Sequence, residues 1–363
     1  MHAKPSHSVA GAPTPPGTPS TPASASPGVP SHPAQTAAPG ASAAPPAGPR
    51  SFRATLARHR AATYCVVTFV LTWAYFFAVV YPLALPLAAA GEAPFSATPV
   101  VLAVSIAMFF PALGVVVVRL LTGEGFRRAW IVPRNFRRTW RYYVIGWFAP
   151  MVLIAVGAAV FYLVNPGVFD PSMPGFVATA TARMQDAGIV PPPASELQAI
   201  GYAQLALQLV GPLFNCVACF GEEWGWRGYL LPHAVERVSP VKAALGIGVV
   251  WGLWHAPITA LGHNYGLGYP GWPIAGILAM CCFCTALSCL FTWLTLRSGS
   301  CLPAVFAHGA VNACAAGPAL FMATAANPFV GPAATGIVGG IGFVVAAVLC
   351  VVSLRRHPGM LAE

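Results

Sequence analysis

From about residue 55 to residue 357 the chain is a succession of long apolar runs separated by short polar stretches. A hydrocarbon layer about 30 Å thick asks for about 20 apolar residues per helix. Runs of that order recur near 62–90, 99–121, 142–165, 203–231, 243–262, 272–296, 301–317 and 332–353. The expectation is an all-α, polytopic helical membrane protein with about eight transmembrane helices in one membrane domain, 55–357. Pro82, Pro86 and Pro111 fall inside these runs, and membrane helices tolerate proline more readily than soluble ones. No fixed-period repeat is visible, and no glycine-rich nucleotide loop follows a strand-like run.

Residues 1–54 are built from Pro, Ala, Ser, Thr and Gly with almost no large apolar side chains. Such a segment cannot bury a core and reads as a disordered cytoplasmic tail, with a second short tail at 358–363. No apolar signal-peptide core precedes the first long run, so that run is expected to serve as its own insertion signal. Positive residues then set the orientation. Arg53, Arg58 and Arg60 precede the first run, and Arg119, Arg127, Arg128, Arg134, Arg137, Arg138 and Arg141 join the second to the third. Stretches 91–98 and 166–200 carry Glu92, Asp170, Asp186 and Glu196 with only Arg183. An even number of spans, with both termini cytoplasmic and the protein integral to the cell (plasma) membrane, fits this alternation.

Composition agrees with the pattern. Asp, Glu, Lys and Arg make up 8% of the residues against roughly a quarter in a soluble domain, and 57% are hydrophobic. A formal net charge of +10 would ordinarily suggest nucleic acid, but the arginines cluster in connections between apolar runs. Topology accounts for them, so the expected partner is the lipid bilayer and not nucleic acid. The 10 cysteines fall almost entirely inside apolar runs and read as packing residues, Cys216-x-x-Cys219 included.

Polar side chains inside apolar runs are costly and default to functional hypotheses. The first group is Gly221-Glu222-Glu223-Trp224-Gly225-Trp226-Arg227-Gly228-Tyr229. Adjacent residues on a helix point about 100° apart, so the two glutamates are expected to do different work. Glu223 and Arg227 stand at i, i+4 with the acid N-terminal, the favoured order for an ion pair, which makes Glu223 and Arg227 structural supports. Glu222 lacks such a partner and is the candidate general base. The second group is Trp251-Gly252-Leu253-Trp254-His255-Ala256-Pro257, and the third is His308-Gly309-Ala310-Val311-Asn312, whose His and Asn share a helical face. Taken singly, each group has a plainer reading: a charge cluster at a helix end, a packed histidine, or an asparagine bonding across helices. Together they carry more. Helix rise puts His308 and Asn312 roughly 10–16 Å and His255 roughly 18 Å from the arginine-rich ends. Four polar residues from three helices are then expected to line one cavity, facing the cytoplasmic leaflet, and to supply a base and oxyanion donors.

These three groups, in order and on separate helices, resemble the motifs of the CPBP intramembrane proteases. That family takes in type II CAAX prenyl endopeptidases, bacteriocin-processing or immunity proteins and abortive-infection proteins. Residues 221–232 and the run Gly299-Ser300-Cys301-Leu302-Pro303-Ala304 leading into His308 are particularly close, and the resemblance covers about 200–315. Trp251 stands where phenylalanine is usual, which keeps an aromatic wall. The resemblance implies an intramembrane endopeptidase in which Glu222 activates water with help from His255, while His308 and Asn312 stabilise the oxyanion. The substrate would be a polypeptide, lipidated or otherwise membrane-bound. Two cofactor readings stay open: Zn2+ or another divalent metal held by Glu222, His255 and His308, or a metal-independent mechanism. No His-Glu-x-x-His motif is present, and asparagine is a poor zinc ligand. The alternatives in function are a non-proteolytic membrane protein of the same fold, acting in bacteriocin immunity or as a scaffold, and a transporter, which would call for repeat symmetry.

Overall fold

The computed structural model describes residues 52–127, 129–324, 327–357 and 359. The tail expected at 1–54 lies outside these residues except for its last three, which are already helical, and nearly all of the tail at 358–363 lies outside them too. The helices are α1 (Phe52–Arg58), α2 (Arg60–Ala89), α3 (Thr98–Thr122), α4 (Phe136–Val164), α5 (Pro174–Asp186), α6 (Ala194–Gln208) and α7 (Gly211–Val235). They are followed by α8 (Pro240–Trp254), α9 (Ala256–Ala260), α10 (Ile274–Ser298), α11 (Leu302–Cys314) and α12 (Ile341–Arg356). Among the described residues the only strand-like pairing is one antiparallel bridge between Phe169 and Met322. The all-α membrane architecture is therefore present.

Five helices are long and apolar enough to cross a membrane: α2, α3, α4, α10, and α11 with the 3-10 turn that extends it to Phe321. The pair α6 and α7, bent by 56°, makes a sixth. The expected count of about eight is not reached by this measure, and proline and glycine explain the difference. Pro257 has no N–H to offer, so α8 stops at Trp254; its 15 residues reach only about 22 Å. Residues 331–340, which contain Gly331, Pro332, Gly336, Gly339 and Gly340, form turns, so the last run is helical only over the 16 residues of α12. The expected span 203–231 is broken at Leu209 and Val210, whose N–H groups bond three residues back to Ala206 and Leu207 before Pro212 begins the next helix. The polar stretch 166–200, expected as a loop, instead holds α5 and the start of α6, each beginning at or just after a proline.

Outward surfaces are apolar. On α4, Val144, Phe148, Val152 and Val156 are exposed at four-residue spacing, whereas Gly146, Pro150, Ile154 and Gly157 face inward. A helix with large apolar side chains outside and small residues inside suits lipid, where close backbone approach replaces the hydrophobic drive of water. Helix α10 is the central post, packed along α8 and bordered by α11 and α12, while α11 lodges between α7 and α4, and α3 runs against α2 and α7. Gly221 and Gly225 make the α3–α7 contact possible. A Cβ at Gly221 would meet the Met108 carbonyl oxygen at 2.7 Å, and one at Gly225 would run into Pro111 and the Tyr64 hydroxyl. With that face of α7 occupied by α3, the two glutamates between these glycines are directed toward the other helices.

Candidate active site

Two π-helical turns widen the bundle, at Phe76–Val80 and at Trp226–Leu230, where the N–H groups of Tyr81 and Leu231 reach back five residues to Phe76 and Trp226. In both, proline follows at once, as Pro82 and Pro232. The proline ring would press on the carbonyl four residues back, and the wider turn removes that clash without ending the helix. The second π-turn begins three residues after Glu223.

The two glutamates diverge as helix geometry requires. Glu223 is fully buried, and its Oε1 accepts from Arg227 Nη1 at 3.0 Å and from His308 Nδ1 at 3.0 Å. The i, i+4 ion pair is thus present, and it extends to a third residue on α11. The Arg227 guanidinium lies between two rings, with Cζ 4.6 Å from the Trp251 centroid and 5.0 Å from that of Phe291. Glu223 Oε2 and Arg227 Nε and Nη2 have no hydrogen-bond partner among the described residues.

Glu222 faces the other way. Its Oε2 accepts from Trp251 Nε1 at 2.7 Å, with Trp226 Nε1 at a longer 3.4 Å. Glu222, His255, His308 and Asn312 all line one cavity of about 490 Å3, and Glu223 and Arg227 do not. Val101, Val104, Met108, Phe283, Leu287 and Val311 supply much of its apolar wall.

His255 sits at the break between α8 and α9. Its own N–H bonds to the Gly252 carbonyl, three residues back, which leaves the Trp251 carbonyl to accept from His255 Nδ1–H at 2.9 Å. That bond fixes the tautomer in the neutral ring and leaves Nε2 as an acceptor. His308 is held in the same manner by Glu223, so its Nε2 can donate only when both ring nitrogens carry a proton. Asn312 is exposed toward the cavity, and the acceptor for its Nδ2 is the weak one of Cys219 Sγ, at 3.5 Å.

The structure also brings further polar side chains to the cavity. His263 lines the cavity with its ring stacked parallel to that of His255, centroids 6.5 Å apart, and Asn264 and Asn215 line it as well. Asn215 lies seven residues before Glu222, two turns along α7, and that spacing was available in the sequence. His263 and Asn264 follow a helix break and could not be placed by counting helical turns. Trp251 was read only as an aromatic wall; its indole N–H makes a bond that phenylalanine could not.

Of the set Glu222, His255 and His308, Trp251 holds Glu222 Oε2, and the Nδ1 bonds of the two histidines leave Nε2 of each ring as the nitrogen a metal could take. Among the described residues no three His, Cys, Asp or Glu side chains come together as a metal-binding group. In this arrangement the residues do not fit a zinc ion. The cavity lining runs from Glu222 and His308 to Phe95, His263 and Thr335. Phe95, His263 and Thr335 belong to connections at the end of the bundle opposite Arg119, Arg237 and Arg297.

Other polar residues are engaged away from this cavity. Cys216 donates to the Leu213 carbonyl at 3.0 Å, and all ten cysteines are free thiols. His233 Nδ1 donates to the Tyr229 carbonyl at 2.8 Å, and Asp170 caps a turn by accepting from the Ser172 N–H and hydroxyl. The latter two bonds hold the Asp170 carboxyl below its usual pKa.

A family model described as "Type II CAAX prenyl endopeptidase Rce1-like" matches residues 204–314, the stretch that contains all three polar groups. A protein of Methanococcus maripaludis named "CAAX prenyl protease 2" is 35% identical over 72 residues, covering 20% of this chain. The match spans about a quarter, 27%, of that relative's length. Both support the CPBP family.

Proposed function

We propose that this protein is an intramembrane endopeptidase of the CAAX protease-like type, hydrolysing a peptide bond with water activated by Glu222. The observation that carries the reading is the convergence of Glu222, His255, His308 and Asn312 on one cavity, with Glu223 and Arg227 held outside it. A water between Glu222 and the free Nε2 of His255 gives its proton to the carboxylate as its oxygen attacks the substrate carbonyl. The developing oxyanion is met by Asn312 Nδ2–H and by the His308 imidazolium, whose charge Glu223 balances. The proton taken by Glu222 then passes to the leaving amine, so that one water and one peptide become an acid and an amine. No step runs through a metal. The apolar wall suits a substrate chain lying in lipid, and the name of the archaeal relative makes a C-terminally prenylated polypeptide the first candidate. Positive-inside orientation puts the arginine-rich ends in the cytoplasm of a cell membrane. The cavity then reaches toward the opposite side, and substrate enters from the bilayer.

The test is cleavage by the purified protein, reconstituted in liposomes, of prenylated and unprenylated versions of one reporter peptide. Cleavage lost in Glu222→Gln supports the enzyme. A protein that binds the peptides without cleaving any would instead fit the scaffold or immunity reading.

A further inference from the structure

A second cavity, of about 690 Å3, lies at the arginine-rich end of the bundle, where the connection after α3 meets the end of α7. Arg60, Arg119, Arg127, Glu124, His233 and Glu236 are among its lining. The two carboxylates are already engaged. Glu124 accepts from the Tyr229 hydroxyl at 2.7 Å and lies 3.4 Å from Arg60 and 3.7 Å from His233, while Glu236 lies 3.9 Å from Arg237. Neither Arg119 nor Arg127 has a carboxylate within ion-pair distance among the described residues.

Arg119 is the telling residue, because it is only 4% exposed. Its Nη1 donates to the carbonyls of Gly125 at 2.5 Å and Arg127 at 3.3 Å, and its Cζ lies 5.0 Å from the Tyr229 ring centroid. Its Nε–H has no acceptor among the described residues. Carbonyl oxygens and a ring face satisfy part of a guanidinium, but they bring no full negative charge, and a buried cation without a counter-charge is strongly disfavoured. Arg127, beside it, is exposed to the same cavity. The guanidinium fork matches tetrahedral oxyanions, phosphate above all, and the cavity sits where apolar helices end.

We propose that this cavity binds a phosphate-bearing anion, held between Arg119 and Arg127 with Arg60 at its side. A phospholipid headgroup and a soluble phosphate share that chemistry. The site is independent of the proteolytic reading and of Glu222.

The experiment has two arms, each run on the full chain and on Arg127→Gln and the double variant R60Q/R127Q, whose changes fall on residues that are not fully buried. In the first, lipid retained from mixed phosphatidylcholine and phosphatidylglycerol vesicles is read by native mass spectrometry. In the second, thermal unfolding in detergent is compared in inorganic phosphate and in chloride of equal ionic strength. Wild type should retain phosphatidylglycerol over phosphatidylcholine, or be stabilised by phosphate, and the double variant should lose about tenfold in affinity, as loss of a charge-assisted hydrogen bond implies. Enrichment of the lipid alone identifies the headgroup, and stabilisation by phosphate alone identifies the free anion. No preference in either arm, or one that is equal in wild type and the double variant, overturns the proposal.

Discussion

Trp251 donates its indole N–H to Glu222 Oε2 at 2.7 Å, so a residue on α8 fixes the carboxylate that α7 presents to the cavity. The same side chain lies over the Arg227 guanidinium, and its carbonyl takes the Nδ1–H of His255. It therefore touches the candidate base, the structural ion pair and the candidate water-orienting histidine at once.

Trp251→Phe keeps an aromatic ring and removes the N–H. A hydrogen bond to a charged group contributes about 1.5–3 kcal/mol, and each 1.36 kcal/mol of lost transition-state stabilisation is about tenfold in rate. The expected outcome is a drop in kcat of about tenfold or more, beside some loss of Tm from the smaller ring at a buried site. Steady-state kinetics beside thermal unfolding of the purified variant check this, and an unchanged kcat would show that the bond does not orient the base.

Glu223→Gln leaves Arg227 fully buried without its counter-charge and His308 without its carboxylate partner. Breaking a buried pair from one side costs about 3–5 kcal/mol. The variant should be less stable than wild type by an amount of that order, and a further Arg227→Met change should recover part of the loss. Denaturation of the single and double variants in one detergent is the measurement, and a double variant no better than the single one would remove Arg227 from the account.

How much of this was written in the sequence differs from residue to residue. The Glu223–Arg227 spacing, the His308–Asn312 face and the run of apolar helices all follow from helical periodicity, which a single chain displays. The bond from Trp251 to Glu222 and the stacking of His263 on His255 depend on how separate helices are placed against each other, and no local pattern contains that. Helix breaks lie between these cases. Pro212 and Pro257 announce the interruptions at 209–210 and 255, but whether proline kinks a membrane helix or ends it is decided by neighbours able to take up the freed carbonyls, as His255 does for Trp251.

Orientation can be read with fusions at two positions. A reporter after Arg138 should be cytoplasmic and one after Asp186 should face the opposite side, because the arginines gather at the first end and α5 lies at the other. Reporters found the other way round would turn the cavity toward the cytoplasm and reverse the route proposed for substrate entry.

Removal of residues 1–50 should leave membrane insertion and cleavage close to wild type, since this Pro, Ala and Ser-rich segment has almost no large apolar side chains to bury. Cleavage lost in a truncated protein that still inserts would give the segment a role in the reaction.

The most direct test of the central claim, that adjacent glutamates divide base from support, is a paired comparison of Glu222→Gln and Glu223→Gln. Each purified variant is assayed for reporter cleavage and for thermal stability under the same conditions. Glu222→Gln should abolish cleavage with Tm nearly unchanged, because an amide fills the same space and keeps the Trp251 bond but cannot take a proton from water. Glu223→Gln should lower Tm. A Glu222→Gln protein that still cleaves, beside a stable but inactive Glu223→Gln protein, would contradict the account and exchange the two roles.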